Sequence, residues 1–400
     1  MMEAIANPGG DKLQYAEVME VPEPEFDGKS VLVKTKWIGL CATDVPYLEG
    51  SKDSRVDKSK PLIGFHEVVG EIVARGDRAL PIPIGTWVIP LVRRCQQWVN
   101  GTFVPCRYIG DCPQSGHPDR CPRTDKFRYI SRGTGKLDGF ASQWFADDPQ
   151  WLITIPKEVQ DELDYLCVLA EPMSIAQKAA RLAYSLRRAV ADNPSPFTDR
   201  VLVAGLGPIG LLAGFILRLQ YGYVNIFGAD IYERDNIRAE LWQESPGKGL
   251  GLMDKYIQVE VEDKNDKKFF TEWSEENGKF QLIIEATGIP EVISDLVGAL
   301  APDGVLVVLG IPEDTGNFII SGKQLGEIVA RNRVIAGCVN ADRRDFIEGL
   351  YCLAAHHKTC KSMLESLAPQ PTYNYKQYTR QWLGNRLQNK ANEIKVILKF

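Results

Sequence analysis

The sequence predicts an α/β protein in which an irregular, mostly β part precedes a doubly wound parallel sheet. Three observations carry this reading. Residues 1 to about 155 hold short β-type runs (VLVKTKWIGL, GEIVARG, TWVIPLV) broken by Gly and Pro. From about residue 200, strand-like and helix-like segments alternate, and such alternation implies βαβ units around a parallel sheet. A G-x-G-x-x-G run stands at the opening of that second part. Four hundred residues also exceed one ordinary core and suggest two domains.

Along the chain, ELDYLCVLAEPMSIAQKAARLAYSLRRA has helical spacing with one Pro interruption, and ADNPSPFTD is a turn-rich linker. RVLVAGLG reads as a strand, PIGLLAGFILRLQYG as a helix and YVNIFGAD as a strand again. FQLIIEATG, IPEVISDLVGALAPDG and VLVVLGI repeat strand, helix, strand. RRDFIEGLYCLAAHHK is helical, and EIKVILKF is a closing strand placed to rejoin the first part. The expected division is 1–185 for the first part, 186–344 for the parallel-sheet domain and 345–400 for the return to the first part.

Composition is that of a soluble globular chain, 44% hydrophobic and 25% charged. A net charge of −5 gives no basic footprint, so nucleic acid is not an expected partner. No run reaches about 18 apolar residues and the N-terminal stretch lacks a signal-peptide pattern, so no membrane association is expected and the protein reads as cytoplasmic.

The glycine run is RVLVAGLGPIG: Gly205, Gly207 and Gly210 follow a strand-like segment, with Pro208 and Ile209 opening the helix, and Asp230 ends the next strand twenty residues beyond Gly210. That is the context of a dinucleotide-binding turn, in which the backbone approaches a pyrophosphate at a helix N-terminus. A carboxylate at 230 accepts from both ribose hydroxyls and repels a 2′-phosphate. Ile231 and Tyr232 supply no basic pair, although Arg234 is near, so NAD is favoured over NADP.

GLCATD and GFHEVVGE place Cys41, His66 and Glu67 in the first part, and Glu171 follows in LAEPMSIAQKA. Singly, Cys41 reads as a small buried apolar side chain, His66 as a hydrogen-bonded structural residue and Asp44 as a turn carboxylate. Together, one thiolate, one imidazole and one or two carboxylates suit Zn²⁺ with an open position, acting as a Lewis acid on an alcohol oxygen.

In this order, G-x-C-x-T-D, G-x-H-E-x-x-G, a Cys-rich insertion, x-E-P and the glycine fingerprint resemble the zinc-dependent medium-chain dehydrogenases. KLDGFASQWFADDPQWLITIPK, IIEATG, GEIVARNRVIAGCVNADRRDF and EIKVILKF resemble the glucose 1-dehydrogenase branch. The resemblance implies a GroES-like catalytic domain and a Rossmann domain, with substrate in the cleft between them. It implies that Cys41 and His66 are zinc ligands, that Glu67 is a ligand or reaches the metal through water, and that Glu171 supplies a further, exchangeable ligand. Thr43 would hold the substrate hydroxyl and pass its proton outward, and Asp44 would orient His66. Thr287, Gly288, Gly310, Ile311 and Asn340 would line the cofactor cleft. A homodimer or homotetramer is implied, with VLVVLGI placed to pair across a two-fold axis.

The family often carries a second, structural zinc on four cysteines. Here Cys95, Cys106, Cys112 and Cys121 are separated by ten, five and eight residues, a departure from the family spacing. Two readings stand: a zinc held by all four thiolates, with His117 as a spare donor, or reduced thiols without a metal. Cys167, Cys338 and Cys352 sit in apolar runs as small hydrophobes. Cys360 reads as exposed, and His356 and His357 as solvated residues beyond a helix. The expected substrate is a small molecule, a sugar, polyol or alcohol, with an aldose C1 hydroxyl first. Val92, Ser131 and Ile175 depart from the polar residues of the resembled branch. A cyclitol, a modified sugar or a simpler secondary alcohol is therefore the alternative. A non-catalytic NAD-binding protein is the remote one.

Overall fold

Alternation sets the early strands. β1 (Met2–Asn7) and β2 (Glu17–Val21) pair antiparallel. β3 (Val31–Gly39) alternates buried and more open positions along VLVKTKW before its last residues become fully buried. After the helical turn α1 (Val45–Leu48) come β4 (Leu62–Ile63), β5 (Glu67–Arg75), β6 (Trp87–Pro90), β7 (Arg93–Arg94), β8 (Gln96–Val99), β9 (Thr102–Pro105), β10 (Ile130–Ser131), β11 (Trp144–Asp147), β12 (Leu152–Thr154) and the helix α2 (Lys157–Leu163). This computed structural model describes residues 1–55, 57–94, 96–99, 102–105, 130–134, 137–244, 248–252, 255–260, 268–312, 318–370 and 373–400.

The second run of elements reads differently. α3 (Ala170–Val190) leads to β13 (Val201–Ala204), α4 (Pro208–Leu219), β14 (Ile226–Asp230), α5 (Ile237–Gln243), β15 (Tyr256–Gln258), α6 (Phe269–Asn277), β16 (Phe280–Glu285), α7 (Pro290–Leu296), β17 (Leu300–Val308), α8 (Gly322–Ala330) and β18 (Val334–Gly337). These six strands form one parallel sheet in the order β15-β14-β13-β16-β17-β18. β13 is buried at every position, as a strand covered on both faces must be. Its core includes Leu202, Phe227, Phe280, Ile283 and Leu306.

The long helix α9 (Arg343–Leu367) is followed by β19 (Tyr373–Asn374), α10 (Arg380–Gln388) and β20 (Ile397–Lys399). β20 runs antiparallel to β3 and completes a sheet ordered β12-β6-β5-β3-β20-β19, with β11 also on β3. Ile5, Val33, Ile38, Phe140, Phe145, Tyr378 and Leu398 fill the core beneath it. Two compact units result. Met1–Glu171, Asp342–Ala354 and Ala368–Phe400 form one, and Pro172–Ala341 with Ala355–Leu367 forms the other. The first change of unit falls inside α3, ahead of the 185/186 boundary expected from composition.

Three expectations change. VLVVLGI is not an edge: β17 is paired on both sides, by β16 and β18, so its backbone groups are already satisfied. His356 and His357 lie within α9, His357 buried and His356 edge-on to Phe215 with ring centroids 5.9 Å apart. Cys360, at a kink in the same helix, is buried rather than exposed. Cys95, Cys106, Cys112, Cys121 and His117 lie outside the described residues. Among the described residues no helix is long and apolar enough to cross a membrane.

Candidate active site

The site in the first unit is built by register. β3 ends at Gly39 opposite Glu67, the first residue of β5. The chain then turns through one short 3-10 turn, Ala42–Asp44, that starts at Cys41. Asp44, almost fully buried, accepts from the Cys41 backbone amide through Oδ2 at 2.8 Å and meets His66 Nδ1 through Oδ1 at 2.8 Å. With Nδ1 engaged, the ring presents Nε2 as its remaining ligand atom. Cys41, His66 and Glu67 each offer one ligand atom, and these atoms lie within 4.8 Å of one another. The exposed Thr43 sends its hydroxyl to Cys41 Sγ at 3.2 Å. Glu171 is buried but stands outside the set of three donors.

Phe65, just before His66, is fully buried with φ of 63°, a left-handed conformation unusual for a bulky side chain. Its carbonyl accepts from Phe140 N at 3.1 Å, and a side chain at Gly133 or Gly139 would run into it. Neighbouring backbone thus holds the reversal that precedes His66.

Burial opposes a charge on His66. Asp44, by field and hydrogen bond, and then Cys41 override it, so the imidazole is held well above its ordinary range. Burial pushes the Glu171 carboxyl up. His66 opposes that, and Glu67 reinforces it. Lys395 is the residue that sequence reasoning missed. Its ammonium is buried, pairs with the Glu67 carboxylate and donates to the Leu40 carbonyl at 3.0 Å. Burial disfavours its charge, but Glu67 and Cys41 outweigh that and raise it. A lysine inside the apolar run EIKVILKF was the available signal.

The second unit holds the glycine turn. Gly205 has φ of 91°, and a Cβ on Gly210 would collide with the Gly205 carbonyl, so strand and helix meet with no room for side chains. A Cβ on Gly207 would meet only Arg238, so the turn is open to a ligand on that side. Gly207 caps α4 and Pro208 is its first residue, followed by Ile209. Asp230 ends β14 with its carboxylate on Leu206 N and Ile231 N, both at 2.7 Å. Arg234 is turned to Gln243 at 3.0 Å and to the Tyr256 carbonyl at 3.1 Å. Arg238 instead donates to the Leu206 carbonyl at 2.8 Å. Thr287 and Gly288 follow β16, and Gly310 and the exposed Ile311 follow β17. Asn340, at φ of 56°, keeps a buried Nδ2 with no hydrogen-bond acceptor.

The donors fit the groups that the sequence implies. A thiolate, an imidazole with its second nitrogen fixed and a carboxylate suit zinc with an open position. The side-chain-free glycine turn and the orphaned Asn340 amide suit a dinucleotide.

Two family models match the chain, the Alcohol dehydrogenase GroES-like domain over residues 27–157 and the Glucose dehydrogenase C-terminus over residues 165–400. Glucose 1-dehydrogenase of Thermoproteus tenax is 31% identical over 348 residues, 86% of this chain and 85% of that protein. Glucose 1-dehydrogenase 2 of Vulcanisaeta moutnovskia is 31% identical over 329 residues, 82% and 81% of the two. A structure of Haloferax mediterranei glucose dehydrogenase in complex with NADP, Zn and gluconolactone superposes with a TM-score of 0.78 at 26% identity, covering 100% of this chain and 99% of that one.

Proposed function

Because the chain belongs to the zinc-dependent medium-chain dehydrogenases, in their glucose dehydrogenase branch, we propose that it oxidises a sugar or polyol hydroxyl with hydride transfer to NAD(P), an aldose C1 hydroxyl first. The observation that carries this is the convergence of Cys41, His66 and Glu67 on one point, with Asp44 already fixing the imidazole. Zinc bound there supplies Lewis acidity to the substrate hydroxyl, and NAD(P) accepts the hydride.

Cys41 and His66 would hold the ion, with Glu67 binding directly or through water and Glu171 as a further, exchangeable carboxylate. Asp44 keeps the His66 ring in place. Thr43, an exposed residue whose hydroxyl lies against Cys41 Sγ, would take the substrate proton outward. Gly205, Gly207 and Gly210 with the start of α4 receive the pyrophosphate. Thr287, Gly288, Gly310, Ile311 and Asn340 receive the nicotinamide half. NAD is the preferred cofactor: the Asp230 carboxylate repels a 2′-phosphate, and Arg234 is engaged away from it. For the cysteine-rich stretch outside the described residues, metal analysis decides between the two readings: about two zinc ions per chain would support a structural zinc on Cys95, Cys106, Cys112 and Cys121, and about one would remove it.

A screen of aldoses, cyclitols and secondary alcohols, following reduced-cofactor absorbance with NAD and NADP in parallel, tests the reading. Turnover of aldoses, abolished by a chelator and restored by zinc, supports it; chelator-insensitive turnover would sink the metal. The apolar Val92 favours the second reading, a cyclitol, a modified sugar or a simple secondary alcohol, which the same screen, widened to modified sugars, separates. A homodimer or homotetramer is expected to assemble through the second unit. Among the described residues β18 is a sheet edge, and α8, which precedes it in the chain, buries no residue and exposes Leu325 and Val329. Light scattering at micromolar concentration checks it, a monomer being the contrary result.

A further inference from the structure

Glu285 ends β16 and is completely buried, so it touches neither solvent nor a bound cofactor. Its Oε1 accepts from Thr287 N at 2.6 Å, Thr287 Oγ1 at 2.5 Å and Gly288 N at 2.7 Å. Its Oε2 reaches Gly310 N at 3.3 Å. Its backbone carbonyl accepts from Leu309 N at 2.9 Å. One residue therefore gathers the loop after β16 and the loop after β17. The two loops touch through backbone, since a side chain on Gly310 would collide with the Gly288 amide. Thr287, held in this way, caps Ile289 N through Oγ1 at 3.1 Å, just ahead of α7.

The sheet order says which part of a dinucleotide these loops meet. From β13 the chain builds β14 and β15 on one side, then crosses to β16 and β17 on the other. The crevice lies where that order reverses, between β13 and β16. Asp230, at the end of β14, marks the adenosine side. The loops after β16 and β17 mark the opposite side, where the nicotinamide lies.

We propose that Glu285 is a positioning residue for the nicotinamide half of the cofactor: its buried carboxylate clamps the 287–288 and 309–310 loops into one surface. The proposal rests on the dinucleotide reading of the glycine turn. A carboxylate is required because all four side-chain contacts are donors and an ionised acid is acceptor-only. Glu285→Gln preserves shape but sets an amide N–H₂ against Gly310 N–H, which pushes the second loop away.

The test is fluorescence titration of the full-length enzyme with NADH, alongside calorimetric titration with ADP-ribose. For Glu285→Gln the NADH dissociation constant is expected to rise about tenfold, equivalent to about 1.4 kcal/mol, while ADP-ribose binding stays within about twofold and zinc content is unchanged. Equal weakening of both ligands would make Glu285 merely structural and overturn the proposal. Unchanged NADH binding would overturn it too. If the wild-type enzyme bound neither ligand, the dinucleotide reading itself would fail, a distinguishable outcome. Should Glu285→Gln not fold, Glu285→Asp keeps the charge but withdraws it by one methylene from both loops. It is expected to raise the NADH constant about threefold with ADP-ribose unaffected, and no difference between the ligands would count against the clamp.

Discussion

At the scale of the residue, Asp44 does the most with the fewest atoms. One oxygen holds the Cys41 backbone and the other holds the His66 ring. Asp44→Asn keeps one acceptor and turns a donor toward one of those N–H groups. Zinc affinity measured by chelator competition is expected to fall about 10- to 100-fold, and the thermal midpoint is expected to fall because one buried N–H loses its acceptor. In the metal-free protein Lys395→Met leaves Glu67 as a buried charge without its cation, and a loss of about 3 kcal/mol in urea unfolding is expected; a loss well below about 1 kcal/mol would show that Glu67 finds another partner. These two residues also mark what the sequence does and does not reveal. Cys41, His66 and Glu67 were legible because their types and flanking glycines are themselves the signal. Asp44 alone was an ordinary turn carboxylate, since its link to His66 spans 22 residues and depends on a strand register. Lys395 was invisible as a partner because only the pairing of β20 with β3 carries it to Glu67.

At the scale of the element, β7 and Arg132, just after β10, are tied to β11 by charge. Asp147 takes both terminal nitrogens of the buried Arg94, at 2.5 and 2.6 Å, and a third bond from Arg132 at 3.2 Å. The Arg132 guanidinium also lies 4.5 Å from the Phe140 ring centroid. Asp147→Asn strands two guanidinium groups on one neutral acceptor, and a loss of about 3 to 5 kcal/mol is expected in equilibrium unfolding. A loss near zero would mean that carbonyls alone satisfy the arginines. In the parallel sheet β13, β14, β16 and β17 were readable, because strands buried on both faces are continuous apolar runs, whereas the short β15 and the half-open β18 were not read. The strand order was not legible. VLVVLGI and VIAG are both apolar enough to be an edge or an interior strand, and only the assembled sheet places β17 inside and β18 outside.

At the scale of the whole molecule, acid stability offers a measurable sign. The hydrogen bond from Arg55 is the largest influence on Asp53, whose carboxyl is held down at about 2 against an ordinary 3.8. Arg55 also donates to the Gly10 carbonyl at 2.9 Å, so the pair ties a loop to the N-terminal segment. A depressed carboxylate contributes stability fully above pH 3.8, and that contribution fades as pH falls from 3.8 toward about 2. Allowing for solvent screening it is worth about 1 kcal/mol. The urea midpoints of wild type and Asp53→Asn should therefore differ at pH 5 and converge near pH 2. Equal midpoints at both values would remove the pair from the stability of the fold.

The return of β20 to β3 has a consequence for biosynthesis. A growing chain emerges N-terminus first, so Trp37–Gly39 offer an unpaired strand edge beside Cys41 until Ile397–Lys399 have left the ribosome. The whole parallel sheet is synthesised in that interval. The cation that neutralises Glu67 is likewise made after that sheet. The pairing of Lys395 with Glu67 is therefore a late event, open only once the parallel sheet has been synthesised.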